Sequence, residues 1–340
     1  MNKHCAALFF QNQRLTHQHT TCNLRGVIKK LGGIQCQNID TPLLSLRARG
    51  IDLSYDDLMN HYKHENIERI WTIRGTLHTI VSEDWPIYQK TFESEWLHRW
   101  SKYMKNHIDS DLQDQLEKWA LGVLEDGPKL GKELLDKAKS TFGDKEFVRY
   151  AFSSWGGILK SLCYQNKVCL TLNGHHFMYM LRRDSNRNES TQLSSDAALK
   201  VIYDRYRVSY APFTINDFVH WSGTTVKRTK NIVHESSSNK QPSSIENNKS
   251  GTNVRTIPKF DPYVVSHKNK FYIAEENIPR IYKKAGHIEA AILDNGVVVG
   301  YWKKKNNRLD DFMLFDNNEW LKDQVIREAK RMKLLDSTEK

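Results

Sequence analysis

Three observations along the 340-residue chain predict an α+β fold, mainly α, of tandem winged-helix modules with a C-terminal β-rich segment. Residues 16–81 read as three helices followed by a short strand pair, the element order of a winged helix. The same grammar returns between residues 130 and 181, as architecture without repeated identities. After a polar stretch, residues 254–303 break into short apolar runs of strand length.

Each element has its own warrant. Leu24, Val27, Ile28 and Leu31 stand at helical spacing in 16–31, and Gly32-Gly33 stops that helix. Residues 42–49 form a second helix and 54–61 a third, with Ser54 and Asp57 in capping-box positions. Residues 70–81 are β-rich and alternate around Gly75. Residues 130–138 and 146–165 read as helices, and 167–172 with 176–181 as a hairpin turned by Asn173-Gly174. Residues 195–207 are helical. Thr214 caps a helix over 215–221, and Ser222-Gly223 turns the chain into a second helix carrying Thr224, Lys227, Arg228 and Lys230.

Residues 234–253, rich in Ser, Asn, Lys and Gln, predict a flexible loop. Strands are expected at 254–257, 263–267, 270–273, 288–293 and 297–303, the last two joined by Asp294-Asn295-Gly296. A charged amphipathic helix over 319–334 closes the chain. The expected modules are 10–105, 106–190 and 191–335, the last holding the loop 234–253 and the β-rich segment.

Fifty-one Lys and Arg against 40 Asp and Glu leave a formal charge of +11. That excess suits a polyanionic partner such as nucleic acid or an anionic membrane face, although a merely basic protein carries it equally well. Five cysteines (Cys5, Cys22, Cys36, Cys163, Cys169) without CxxC spacing argue for reduced thiols, against a disulfide framework or zinc knuckle. No run approaches a membrane span, and the apolar patch at 6–10 is too brief for a signal peptide. A soluble, cytoplasmic protein follows. The histidine pairs His17/His19, His61/His64 and His175/His176 lack Cys or carboxylate partners at ligand spacing, so no metal is assigned. Gly32-Gly33 and Gly156-Gly157 lack the lysine and spacing of a phosphate loop, and no cofactor is expected.

The most informative stretch is Gly32-Gly33-Ile34-Gln35-Cys36-Gln37. On extended backbone, Gln35 and Gln37 point the same way. They offer amide donors and acceptors without charge, able to hold a water or a sugar oxygen but not to take a proton. Alternatively they satisfy backbone groups at a helix end.

Five blocks in order carry a family resemblance: residues 31–37, Arg74-Gly75-Thr76-Leu77-His78-Thr79-Ile80, Asp217-Phe218-Val219-His220-Trp221-Ser222-Gly223, Phe260-Asp261-Pro262-Tyr263-Val264-Val265, and residues 296–302. Together they resemble the AlkZ-like winged-helix DNA glycosylases over roughly residues 12–335. The resemblance implies a C-shaped arrangement around a basic channel, with Gln35 and Gln37 as the catalytic Gln-x-Gln element. It also implies excision of N7-alkylated purines, including those in interstrand crosslinks. Cys36 stands where an aliphatic or small residue is usual, and the loop 236–251 is longer and more polar than in the family.

The chemistry agrees with uncharged groups. An N7-alkylated guanine is cationic and leaves as a neutral base without protonation, through an oxocarbenium-like sugar. The protein then need only orient water and stabilise developing charge. No lysine is placed by the motif as a Schiff-base nucleophile, so a monofunctional enzyme is expected. His78 is either a phosphate or water contact titrating near neutrality or a brace of the sheet. Arg74, on the same strand face if the strand is regular, is a phosphate clamp or a surface ion pair. Asp40 is the nearest carboxylate to the glutamines, a general base or a helix cap. Asp261 is expected to orient an Asp-Pro turn.

Lys227, Arg228 and Lys230 open a recognition helix, and Lys303, Lys304, Lys305 and Arg308 cluster on the final hairpin; both sets suit phosphates or a solvated surface. The expected partner is double-stranded DNA carrying alkylated purines, with no membrane, and the chain acting as a monomer. A non-catalytic winged-helix regulator and an RNA binder are the competing classes.

Overall fold

The computed structural model describes residues 1–16, 23–64, 66–104, 106–153, 155, 157–182, 192–234, 253–306 and 308–335. His17, His19, Cys22, Gly156 and residues 235–252 of the polar loop lie outside the described residues. Helix-rich α+β architecture is observed. In order the elements are α1 (Lys3–Asn12), α2 (Leu24–Leu31), β1 (Ile34–Gln35), α3 (Asp40–Ala48), α4 (Tyr55–Lys63), β2 (Ile67–Trp71), β3 (Leu77–Val81), α5 (Trp85–Met104) and α6 (Ser110–Glu125). Then follow α7 (Gly131–Phe142), α8 (Glu146–Ala151), α9 (Gly157–Tyr164), β4 (Val168–Asn173), β5 (His176–Leu181), α10 (Ser195–Ser209), α11 (Ile215–Ser222) and α12 (Val226–His234). The chain ends in β6 (Val254–Ile257), α13 (Pro262–Val265), α14 (Ile278–Ile281), β7 (Ala290–Asp294), β8 (Val297–Lys305), β9 (Arg308–Leu314) and α15 (Glu319–Arg331). No described helix is long and apolar enough to cross a membrane.

The chain forms two compact units, one of Met1–Tyr55 with Ile202–Lys340 and one of Asp56–Val201. In the first, β6-β7-β8-β9 make an antiparallel sheet with α15 packed on β6. Its core is aromatic. Phe9 stacks on Tyr263 at 4.2 Å between centroids, and Tyr206 on Tyr210 at 4.6 Å. Each such buried ring stabilises by about 1.5–3 kcal/mol. The patch read as a short apolar run is therefore a structural helix, α1, with Phe9 and Phe10 in this core.

Two expected strands do not form. Residues 263–267 instead begin as α13, because Pro262 presets φ for the first helical position and Asp261 caps it, accepting from Tyr263 N at 2.9 Å. Residues 270–273 form a turn closed by Ile273 N donating to Lys270 O at 3.1 Å, so Tyr272 is buried without a strand ladder. Conversely, β9 extends the sheet beyond the strands expected from sequence.

In the 56–201 unit, β2 and β3 pair antiparallel with Ile70 opposite His78. Helices α5 and α6 fill residues 85–125, unassigned from sequence, and both pack on α9. Glu117 of α6 is buried and accepts from Ser161 Oγ at 3.1 Å and Gln165 Nε2 at 3.0 Å. The β4–β5 hairpin forms, but Asn173 already pairs with His176, so the two-residue loop is Gly174-His175, with Gly174 at φ 58°, rather than Asn173-Gly174.

Candidate active site and nucleic-acid interface

The Gln-x-Gln segment leaves a helix end whose last carbonyls are all bonded. Gly32 at φ 65° closes α2 left-handed, as only a residue without Cβ does freely. Gly33 N donates to Ile28 O at 3.0 Å and Gly32 N to Lys29 O at 3.2 Å. The remaining two carbonyls are taken from α10 and its end: Ser209 Oγ donates to Lys30 O at 2.6 Å and Tyr210 OH to Leu31 O at 2.7 Å. Gln13 Nε2 holds that α10 end in turn, donating to Ser209 O at 2.7 Å. The glutamine loop thus departs from a terminus with no orphan acceptor.

Extended backbone covers only Ile34 and Gln35, and Gln37 lies in a bend. The strand alternation expected to aim both amides alike therefore ends at Gln35. Gln35 is buried with 8% exposure, Cys36 is fully buried, and Gln37 is exposed. One amide is held in the protein wall and the other reaches solvent.

Asp40 starts α3 rather than capping it; Ile39 is the N-cap and makes no side-chain bond. Asp40 instead pairs with Lys304 of β8, which draws the lysine-bearing end of the final hairpin to the start of α3, three residues beyond Gln37. Lys303 and Lys305, flanking it, are exposed. On α12, Lys227 and Lys230 are exposed and Arg228 is half-buried. The preceding helix α11 carries the expected cap: Thr214 N donates to Asp217 Oδ2 at 2.8 Å and Asp217 N to Thr214 Oγ1 at 3.3 Å. Gly223 at φ 78° makes the turn between the two helices.

Arg74 and His78 belong to the 56–201 unit. The strand is not regular there. A tight turn over residues 73–75 separates β2 from β3, with Arg74 at φ 53°, so Arg74 is a half-buried turn residue off the strand face. The turn is clamped from α9: Tyr164 OH donates to Thr72 O at 2.8 Å and Lys160 Nζ to Gly75 O at 2.5 Å. A Cβ on Gly75 would sit 2.7 Å from Trp96 and from Lys160 Nζ, which explains the glycine in this block.

His78 does not titrate near neutrality. Burial, with the Arg74 guanidinium adding to it, pushes its imidazole down to about 3. Nδ1 meets the Thr76 carbonyl oxygen at 3.0 Å and so carries the proton, leaving Nε2 as a neutral acceptor. At pH 7 this imidazole therefore offers a phosphate no charge. His267, also buried, is pushed down to about 4 and donates from Nε2 to Tyr210 O at 2.9 Å. Both histidines take protons near 6.5 once unfolded. Stability should therefore be fully present above that pH and fall as pH drops toward 4, by up to about 1.4 kcal/mol per pH unit for each histidine. Urea unfolding at pH 7 and pH 5 checks this; His78→Asn and His267→Asn should each flatten the dependence.

Ser209 and Tyr210, which bond the end of α2, and Lys160 and Tyr164, which clamp the 73–75 turn, carry no signal in the sequence. Ser209 and Tyr210 act across 179 positions of chain, a separation that leaves no local pattern. Asp261 does more than turn the chain, being ion-paired to Arg49 with both side chains fully buried. Among the described residues no group of His, Cys, Asp and Glu could hold a metal ion, and Cys5, Cys36, Cys163 and Cys169 are free thiols.

A basic chain with a helix-turn-helix pair and a neutral Gln-x-Gln loop has the features of a DNA-processing fold, and comparison with known proteins agrees. The family profile described as DNA glycosylase AlkZ-like matches residues 28–334, and the chain belongs to that family. It is similar to the interstrand DNA cross-link repair glycosylase of Streptomyces sahachiroi, with 22% identity over 305 residues, covering 82% of this chain and 81% of that protein. The solved structure of the Streptomyces sahachiroi DNA glycosylase AlkZ superposes with a TM-score of 0.76 at 20% identity, covering 98% of this chain and 95% of the other.

Proposed function

We propose that this protein is a monofunctional DNA glycosylase that hydrolyses the N-glycosidic bond of cationic N7-alkylated purines in duplex DNA. The observation that carries the reading is a Gln-x-Gln loop, in a chain of this family, anchored on a helix terminus with every carbonyl bonded. Rigid anchoring is what a site needs when its task is to place a water against the sugar and meet developing positive charge with amide oxygens. Gln35 and Gln37 are the proposed catalytic pair. His78, being neutral, is a proposed water acceptor through Nε2 or a brace of its hairpin.

The relative's name concerns interstrand cross-links, and cross-links formed through purine N7 fall in the same chemical class. Lys227, Arg228, Lys230, Lys303 and Lys305 are proposed phosphate contacts, with Arg74 a further one; Lys304 is engaged by Asp40. We take three winged-helix modules (10–105, 106–190, 191–335), a monomer and a cytoplasmic setting as part of the same proposal.

Incubation with DNA carrying N7-methylguanine should release free base and leave an abasic site in an uncut strand. Tight duplex binding without release would leave a non-catalytic binder. In a salt titration of duplex binding, Lys227→Ala with Lys230→Ala should lower the slope of log K against log salt by about two, one for each phosphate no longer neutralised. An unchanged slope would remove α12 from the interface.

A further inference from the structure

Within the 56–201 unit, Trp96, Trp100, Tyr103, Tyr150, Trp155 and Tyr164 line a cavity of about 460 Å³. Its size is that of a small-molecule site, but its walls are unusually planar. Trp96 and Tyr164 lie within 12° of parallel with centroids 6.1 Å apart, and Tyr150 stacks on His107 at 3.8 Å. Trp155, one of the lining residues, is 79% exposed. An exposed indole face beside further aromatic walls offers a stacking surface for a planar ligand. A planar ring laid against these faces covers the exposed indole of Trp155.

Charge narrows the class. Lys160 sits over the rings of Trp71 at 4.6 Å and Trp96 at 5.1 Å, and the exposed Arg99 guanidinium lies over Trp96 at 5.1 Å. Two cations beside an aromatic platform match a flat ring attached to an anionic backbone, whereas a purely apolar or cationic ligand gains nothing from Arg99. Aromatic faces with adjoining Arg and Lys are how proteins hold unstacked bases. We infer that this cavity binds an unpaired nucleobase of a nucleic-acid strand, with Trp155 and Trp100 as its stacking surfaces and Arg99 toward the phosphate. The inference involves neither glutamine and does not depend on base excision.

The test uses the full chain and two undamaged duplexes, one with a bulged 2-aminopurine nucleotide and one with 2-aminopurine paired to thymine. The bulged duplex should bind more tightly, with 2-aminopurine fluorescence quenched on stacking. Trp155→Ala and Trp100→Ala should each reduce that preference by about tenfold, since each removes one base–aromatic stack. Trp155→Phe should restore it, and affinity for the paired duplex should not change. Trp155 is too exposed for its replacement to threaten folding, so its variant keeps the test decisive. Equal binding of the two duplexes, or a preference untouched by Trp155→Ala, overturns the inference. The readout needs no lesion, so it stands or falls separately from base release.

Discussion

Replacing Gln35 and Gln37 together by alanine should cut release of N7-methylguanine by at least about a thousandfold, with affinity for duplex DNA largely unchanged. The leaving group of this reaction departs unaided by a proton, so no general acid remains to mask the loss. What the two amides are proposed to supply is water placement and stabilisation of the sugar cation, each worth about two to three powers of ten when preorganised. The two positions should differ. Gln37 is exposed, so Gln37→Ala should shift the melting temperature far less than Gln35→Ala and report mainly on chemistry. Gln35 is buried, so part of its effect will be structural, and unfolding measured alongside separates the two. Undiminished release by the double variant would assign the reaction to other residues.

The largest stability effect is expected at Arg49 and Asp261. Arg49 closes the far end of α3, and its guanidinium is fully engaged. Nη1 and Nη2 donate to Asp261 Oδ2 and Oδ1 at 2.8 and 2.9 Å, Nη1 also to Ser45 O, Nε to Gln13 O, and Nη2 to Gln13 Oε1. Both side chains are inaccessible to solvent. Arg49→Met or Asp261→Asn alone strands a buried charge and should cost about 3–5 kcal/mol in urea unfolding. The double variant should cost clearly less than the sum, because neither charge is then left unpaired. Strict additivity would show that the pair does not act as a unit. Gln13 links this pair to the α10 end that holds the α2 carbonyls, so the double variant should also perturb base release.

Local chemistry made much of the fold legible. The α2 stop at Gly32-Gly33, the Thr214–Asp217 cap, the Gly223 turn and both short hairpins each depend on residues a few positions apart. The failures have equally local causes. Tyr-Val-Val after Asp261-Pro262 has strand composition, yet a cap and a proline at the first helical position outweigh propensity. Alternation across residues 70–81 concealed a turn, because Arg74 adopts a left-handed conformation that tertiary clamps from Lys160 and Tyr164 support.

By itself, the sequence determined the family and the mainly helical class and pointed to the neutral glutamine pair, since composition, spacing and motif order are properties of neighbouring residues. Only the tertiary structure decided that residues 1–55 share a core with 202–340, that Asp40 answers Lys304, that His78 is uncharged, and that one glutamine is buried while the other is exposed. Those outcomes rest on burial and on partners far away along the chain. Desolvation and long-range hydrogen bonds have no period to read.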